Sequence, residues 1–97
     1  MIVSFLDQTT EDIFDGKNTK NTQKLLPAYL HKVAKRKLDM VHAASILKDL
    51  EVPPSNRLEK LHGDRKGQHS IRINDQYRVV FTWVDGSTEN VEIVDYH

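Results

Sequence analysis

The chain has 97 residues, with 14 basic and 14 acidic side chains and no cysteine. This length accommodates one domain with a single hydrophobic core, and the lack of cysteine excludes a disulfide framework and a thiolate metal site. Residues 1–7 are too short and too acidic for a signal peptide, and no apolar run reaches membrane-spanning length. We therefore expect a cytoplasmic protein.

The charges are balanced in number but separated along the chain. Residues 1–15 and 79–97 carry only acidic charges, whereas residues 17–37 carry only basic charges and residues 57–78 carry a basic surplus. Ordinary solvated helix and strand faces explain any one of these runs. Two cationic segments within a neutral chain also fit a surface for one anionic partner and a separate second contact.

The first half of the chain reads as helical after a short initial strand at residues 2–6. A brief helix is predicted to start at residues 9–12, capped by threonine hydroxyls, and to end at Gly16. A longer helical pattern covers residues 24–50, and its apolar stripe shifts near His42. The pattern leaves open whether one helix bends there or a second short helix begins.

Basic side chains occupy the polar side of this longer pattern, in which Pro27 fits only near a helix start. At about 100° per residue they fall within one arc. The residues of this arc are Lys24, Lys32, Lys35 and Arg36.

The second half alternates with the period of β-strands. Four strands are predicted, at residues 57–61, 69–73, 77–84 and 89–95. A glycine-bracketed loop, a turn at residues 74–76 and an Asp85-Gly86 hairpin signal connect them. Helices followed by an antiparallel meander predict an α+β fold, with two or three N-terminal helices packed on one face of a small sheet and the other face free for function.

Strand register carries a specific prediction. If residues 74–76 form a three-residue turn, Ile73 faces Tyr77 and Arg72 faces Arg78. Like charges placed opposite each other repel, so two guanidiniums held together without an acid suggest a phosphate between them. With a two-residue turn Arg72 faces Tyr77 instead, and this reasoning does not apply.

Three polar side chains come directly after the strand-like run of residues 90–94: Asp95, Tyr96 and His97. The apolar residues before them can hold the segment in place, although chain ends usually fray. An imidazole is well suited to proton transfer near neutral pH. The segment is therefore a candidate catalytic element.

Residues 53–61, residues 63–78 and the Asp95-Tyr96-His97 segment together closely resemble the HigB-type toxins of the RelE/ParE superfamily, and the basic helix at residues 34–38 is similar as well. The resemblance implies a RelE-like fold in one domain over residues 1–97. It also implies a ribosome-dependent, metal-independent endoribonuclease that cuts mRNA and stops translation. It further implies a neutralising HigA-like helix-turn-helix antitoxin, with operator DNA bound only through that antitoxin. The basic arc formed by Lys24, Lys32, Lys35 and Arg36 is then a candidate for contact with the antitoxin or with ribosomal RNA.

The resemblance maps the family's catalytic histidine onto His97 and its phosphate-binding arginine onto Arg78. From their chemistry, Asp95 can orient an imidazole or accept a proton, and Tyr96 can stack on a base. The chain departs from the family at His62, where relatives often carry lysine. This imidazole either shares the proton transfer or weakens phosphate support.

Further candidates for RNA binding lie in the strands and their loops. Arg65 and Lys66 are placed to reach flanking phosphates. Arg57 and Arg72 are either phosphate contacts or ordinary solvated strand charges. His69 alternates with two isoleucines, so a packed strand histidine competes with a role in RNA binding.

Three other functions remain open at this stage. A non-nuclease toxin of the same superfamily, such as a gyrase poison, and a non-catalytic RNA- or protein-binding module share most of these features. A metal enzyme is disfavoured because His31 and His42 are about 16 Å apart along a helix and no ligand set surrounds them. We expect no cofactor.

Overall fold

The computed structural model of the chain describes residues 1–96, so His97 lies outside the described residues. The helices are α1 (Gln8–Phe14), α2 (Lys20–Leu25) and α3 (His31–Ala43). The strands are β1 (Glu59–Lys60), β2 (Gln68–Arg72), β3 (Tyr77–Val84) and β4 (Ser87–Asp95). Short 3-10 segments occupy Ala28–Leu30, Leu47–Glu51, Pro54–Asn56 and Gly63–Arg65.

The sheet has the order β1-β2-β3-β4, and every neighbouring pair is antiparallel. The core lies between the helices and one face of this sheet. On β3, alternate residues Tyr77, Val79 and Phe81 join the core together with Leu38 of α3. Because side chains alternate along a strand, Arg78 points to the opposite face. The predicted α+β fold, with helices on one side of an antiparallel sheet, is confirmed.

The first helix begins earlier than the sequence predicted, and its cap is different. The Asp7 carboxylate accepts a hydrogen bond from the Thr10 backbone N–H at 2.7 Å, so the expected threonine cap is wrong. A carboxylate at this position also interacts favourably with the positive end of the helix. Gly16, with φ of 77°, ends the element as predicted.

The predicted long helix over residues 24–50 is divided into separate elements. Leu26, with extended backbone, ends α2, and the 3-10 turn after Pro27 leads into α3. Lys24 therefore belongs to a different helix from Lys32, Lys35 and Arg36, and the predicted single arc is wrong. Near His42 the helix does not bend: it ends, because Ala44 is extended and the Asp49 carboxylate accepts from Ser45 N at 2.9 Å.

Two predicted strands are shorter than expected. Residues 2–6 form only two isolated parallel bridges to β4, Ile2 with Thr88 and Phe5 with Val91. The strand predicted at residues 57–61 is reduced to β1 because Arg57 has a left-handed backbone, with φ of 45°. Within residues 1–96, no helix combines the length and apolar character needed to cross a membrane.

Candidate active site on the open face of the sheet

The β2–β3 connection is a three-residue turn, which is one of the two turn lengths that the sequence left open. Ile73 N donates to Tyr77 O at 2.9 Å, and the Asn74 side-chain oxygen accepts from Gln76 N at 2.9 Å and from Tyr77 N at 2.8 Å. Arg72 is therefore directly opposite Arg78. Of the two registers that the sequence left open, the structure has the one that places the two arginines opposite each other.

The expectation that these two arginines lack an acidic partner is wrong. Arg72 pairs with Asp75 of the same turn, and Arg78 pairs with Glu59 of β1, with 3.4 Å between Nη1 and Oε2. Both acids are largely exposed, so their ion pairs are of the weak, solvent-screened kind. The carboxylates that neutralise the two opposed guanidiniums can therefore be displaced by another anion.

Arg78 is held firmly in place by uncharged partners. The residue is only 6% exposed, and its guanidinium donates to Ser70 Oγ at 2.8 Å and to the Arg57 carbonyl oxygen at 3.1 Å. Arg57 presents that carbonyl from its left-handed conformation. A guanidinium fixed on two sides can direct its remaining donors at a ligand without a further loss of side-chain freedom.

An open depression of about 300 Å³ lies in front of Arg78. Its charged walls combine cations and carboxylates, and the Tyr96 ring forms one side. The Arg78 Cζ atom lies 5.6 Å from the centroid of that ring, within cation–π range. The lining residues are Arg57, Glu59, Arg72, Asn74, Asp75, Arg78 and Tyr96.

The sequence analysis missed three lining residues, Asn74 and Asp75 of the turn and Glu59, of which Glu59 lies beside Arg78. It is the one acid in residues 57–61, and pairing with Ser70 brings it beside Arg78. Its side chain is 53% exposed, so the carboxylate is accessible to a ligand in the depression. The strand-like alternation of residues 57–61 could have indicated which side of the sheet Glu59 lies on relative to its neighbours. Its position beside Arg78 also depends on the register between β1 and β2, which cannot be predicted from either strand alone.

The two described residues of the predicted catalytic segment separate onto different sides of β4. Asp95 pairs with Tyr77, a core residue, and accepts from Gln76 Nε2 at 3.1 Å. Tyr96, next along the chain, returns to the side of Arg78, and its N–H donates to Gln76 O at 2.6 Å. The structure therefore brings Tyr96 to Arg78 but not Asp95, and the placement of His97 lies outside the described residues.

The loop after β1 contributes one arginine to the open face. Arg65 Nη1 lies 3.0 Å from Glu92 Oε1, and Glu92 is opposite Val80 on the side of the sheet that carries Arg78. Lys66 and His62 flank this turn and are exposed, but among the described residues neither lines the depression. Their predicted roles stay predictions.

His69 lies on the other side of the sheet from Arg78. It is opposite Phe81, with ring centroids 6.2 Å apart and nearly parallel planes. Burial, and secondarily the charge of Lys60, lowers the pKa of this imidazole, whose Nδ1 is buried without a hydrogen-bond partner among residues 1–96. This environment fits the packed strand histidine that the sequence left as an alternative.

The helical histidines are engaged in local structure. His31 Nε2 lies 3.0 Å from the Thr22 carbonyl oxygen and 2.9 Å from that of Leu26, and His42 Nδ1 accepts from Ile2 N at 3.2 Å. In the part of the chain that the structure describes, no group of three or more histidine, cysteine, aspartate or glutamate residues is arranged to hold a metal ion.

The basic side chains of the helices lie apart from Arg78. Lys32 and Lys35 line a separate cavity of about 320 Å³ beside α1, where Lys35 also pairs with Asp39 at 3.1 Å. Lys24, in the last turn of α2, lines neither that cavity nor the depression. Arg36 lies against the C-terminal end of β2 instead.

Comparison with known proteins agrees with this architecture. Residues 3–97 match the family described as "RelE-like toxin of type II toxin-antitoxin system HigB". The chain is 39% identical to Toxin HigB-1 of Vibrio cholerae over 90 residues, which cover 93% of this chain and 92% of that protein. It is also 38% identical to an uncharacterized protein of Haemophilus influenzae over 71 residues, covering 73% and 70% of the two chains.

Solved structures with similar folds include two YoeB–YefM toxin–antitoxin complexes from Staphylococcus aureus, one of them heterotetrameric. The matched chains give TM-scores of 0.62 and 0.58 at 22% and 21% identity, covering 100% of this chain and 95% of each matched chain. At this identity the similarity concerns the fold alone. The family match and the identity to Toxin HigB-1 show that the chain belongs to the HigB family of RelE-like toxins of type II toxin–antitoxin systems.

Proposed function

We propose that this toxin is a metal-independent endoribonuclease that cuts mRNA on translating ribosomes and so inhibits translation. The observation that carries the proposal is the Arg78 guanidinium, fixed from behind by Ser70 and the Arg57 carbonyl, at the floor of a depression that also holds a carboxylate and an aromatic ring. Phosphate support, proton transfer and base stacking are the functions that cleavage of single-stranded RNA requires.

In the proposed reaction the ribose 2′-oxygen attacks the adjacent phosphorus. The bond from O2′ to phosphorus forms, and the bond from phosphorus to O5′ breaks. The products are a 2′,3′-cyclic phosphate and a 5′-hydroxyl, so the reaction transfers a proton from O2′ to O5′ overall. No metal is needed if one side chain accepts the first proton and another supplies the second.

Glu59 is the group that we assign to accept the proton from the 2′-hydroxyl. Its carboxylate is 3.4 Å from Arg78 Nη1, so a phosphate bound to Arg78 would have its neighbouring ribose within reach of Glu59. As the phosphate arrives, its charge replaces that of Glu59 at the guanidinium. The carboxylate is then released from its ion pair at the moment it is needed as a base.

Arg78 stabilises the additional negative charge of the pentacoordinate phosphorane, because its geometry is set before the substrate binds. Tyr96 offers a ring on which a base can stack. We assign protonation of the leaving O5′ to His97, following the resemblance of the Asp95-Tyr96-His97 segment to the family. Asp95, on the other side of β4, is assigned a positioning role.

The remaining polar candidates would hold the strand on either side of the cleaved linkage. Arg57 and Arg72 line the depression, while Arg65 reaches the open face from the adjoining loop. Lys66 and His62 extend from the same loop into solvent. Contacts of this exposed kind position RNA and add affinity that weakens with salt.

The regulatory partner that we propose is a HigA-like helix-turn-helix antitoxin, through which the pair would bind operator DNA. The similar folds in the YoeB–YefM complexes support an antitoxin partner in general terms. We place both proteins in the cytoplasm, where the ribosome would be the target. Lys24, Lys32, Lys35 and Arg36 stay candidates for contact with the antitoxin or with ribosomal RNA.

The test is to map RNA 5′ ends in cells after brief induction of the wild type, Arg78→Ala and His97→Ala. A matched charge control is Lys48→Ala, since Lys48 is exposed and lines none of the depression. The wild type and the control should create new 5′ ends within translated messages and none in the same message lacking its start codon. Intact messages together with broken chromosomal DNA would instead identify a gyrase poison.

A further inference from the structure

A second polar cavity adjoins the depression and differs from it in charge. It has a volume of about 340 Å³ and lies between α3, the segment after Pro54 and the β2–β3 turn. Among the residues that the structure describes, its lining contains three cations and no carboxylate. The residues are Val33, Arg36, Lys37, Ser55, Arg72, Ile73 and Asn74.

Lys37 is the unusual member of this lining because it is nearly buried, at 8% exposure. Its Nζ donates to the Asn56 side-chain oxygen at 2.6 Å, and among residues 1–96 it forms no ion pair. Burial, and secondarily the charge of Arg36, lowers the pKa of this ammonium group. An ammonium has three donors, so an anion in the cavity could satisfy the others and offset the cost of burying the charge.

The other polar groups of the cavity are also hydrogen-bond donors. The Asn74 side-chain oxygen is occupied by two backbone N–H groups of the turn, which leaves its amide nitrogen as the group available to a ligand. Arg36 and Ser55 are exposed. Arg72 has an acidic partner, but that partner, Asp75, lines the depression rather than this cavity.

The two sites are contiguous, because Arg72 and Asn74 line both of them. A ligand that continues from Arg78 past this shared wall therefore meets a second set of donors. RNA provides such a ligand, since its phosphates recur at every nucleotide along one strand.

From this arrangement we propose that Arg36, Lys37 and Asn74 form a second phosphate site, which holds the backbone phosphate next to the one bound at Arg78. This inference rests on the proposed function, because the strand it holds is the RNA whose linkage lies in the depression. The site fixes the direction and register of the strand, whereas the depression carries the chemistry. It also gives the basic end of α3 a role at the substrate.

The experiment measures binding of two uncleavable oligonucleotides to the purified chain by fluorescence anisotropy. Both are 2′-O-methyl uridine oligomers, which lack the nucleophilic hydroxyl: a dinucleotide with one phosphate and a trinucleotide with two. The variants are Arg36→Gln, whose side chain is exposed, and Lys20→Gln as the matched control. Lys20 is an exposed residue of α2 that lines neither site.

The wild type should bind the trinucleotide about fivefold more tightly than the dinucleotide, as expected for one added exposed charge contact. Arg36→Gln should reduce this difference, with Lys37 and Asn74 still in place, while leaving dinucleotide binding unchanged, and Lys20→Gln should preserve the full difference. Equal losses in both variants would overturn the proposal, because they indicate only long-range attraction. A hexaglutamate peptide that binds more tightly than the trinucleotide and is released by Arg36→Gln would also overturn it.

Failure of the proposed function gives a different pattern. A wild type that shows the two-phosphate preference but leaves translated mRNA intact contradicts the nuclease assignment and supports the second phosphate site. A wild type that cleaves mRNA but shows no preference for the trinucleotide contradicts the site alone.

Discussion

Replacement of Glu59 by glutamine changes the proposed proton acceptor while preserving the shape of the depression. The amide is nearly the same size as the carboxylate, and its oxygen can still accept from Arg78. The Glu59 side chain is 53% exposed, so loss of its ion pair should cost at most about 1 kcal/mol of unfolding free energy. For a chain of this length that corresponds to a fall in Tm of about 4–8 °C.

The expected effect on catalysis is much larger. A general base typically contributes a factor of about 10² to 10⁴, so the single-turnover rate of mRNA cleavage on programmed ribosomes should fall at least about 100-fold in Glu59→Gln. Binding of the uncleavable dinucleotide should be unchanged or tighter, since a competing negative charge has been removed from Arg78. The cleavage rate should therefore fall without any loss of dinucleotide affinity.

The measurement requires the cleavage rate, the dinucleotide affinity and the Tm of the same preparation. Asp75→Asn provides the control, because Asp75 also lines the depression but pairs with Arg72 rather than Arg78. Its rate should stay within about threefold of the wild type, the effect of a weak exposed pair. If Glu59→Gln cleaves as fast as the wild type or faster, the carboxylate is only a competitor for Arg78 and the assignment of the base is wrong.

Three further predictions concern buried and stacked groups. Asn56→Ala should destabilise the fold by about 3 kcal/mol by chemical denaturation, because Lys37 Nζ and the Leu50 carbonyl both lose a buried partner; a loss below about 0.5 kcal/mol would contradict this. The pKa of Lys37 is lowered in the folded state. At pH values below that folded-state pKa, keeping the buried ammonium charged therefore reduces the stability of the fold. Between that value and 10.5 the unfolded chain binds more protons, and the wild type should gain stability relative to Lys37→Met as pH rises from 7 to 10; a constant difference would argue against it. Tyr96→Ala should weaken binding of the uncleavable dinucleotide about fivefold or more through lost base stacking, whereas Tyr96→Phe should leave it unchanged, and equal losses in both would point to the hydroxyl.

The C-terminal half of the fold was predictable because its signals are local. The Asp85-Gly86 pair forms the hairpin turn that its residue types favour, with φ of 48° and 82°. The three-residue turn at 74–76 follows from the capping chemistry of Asn74, and it fixes Arg72 opposite Arg78 without reference to the rest of the chain.

The helical half was predicted less well because capping side chains, rather than the apolar stripe, decide where its elements begin and end. Asp7 competes successfully with the threonines for the first helix cap, and Asp49 closes the turn after α3. Helical periodicity does not predict either of these contacts, because it indicates only which face of a helix is buried.

The candidate site was predicted only in part, because motifs identify single residues but not the neighbours that strand pairing brings beside them. Arg78 and Tyr96 were found from their motifs, and the structure places them together. Glu59 was missed because its position beside Arg78 depends on the pairing of β1 with β2 and on the left-handed backbone of Arg57. Asp95 was grouped with Tyr96 by sequence adjacency, whereas strand alternation separates them.

The central claim is attack by the 2′-oxygen on a phosphate held at Arg78, and the chemistry of the cut ends tests it most directly. Messages cleaved on ribosomes by the wild type should carry a 5′-hydroxyl on the downstream fragment. The upstream fragment should end in a 2′,3′-cyclic phosphate or the 3′-phosphate formed when it opens. A 5′-phosphate paired with a 3′-hydroxyl would show that water attacks the phosphorus from the opposite side, and the mechanism derived for this depression would be wrong.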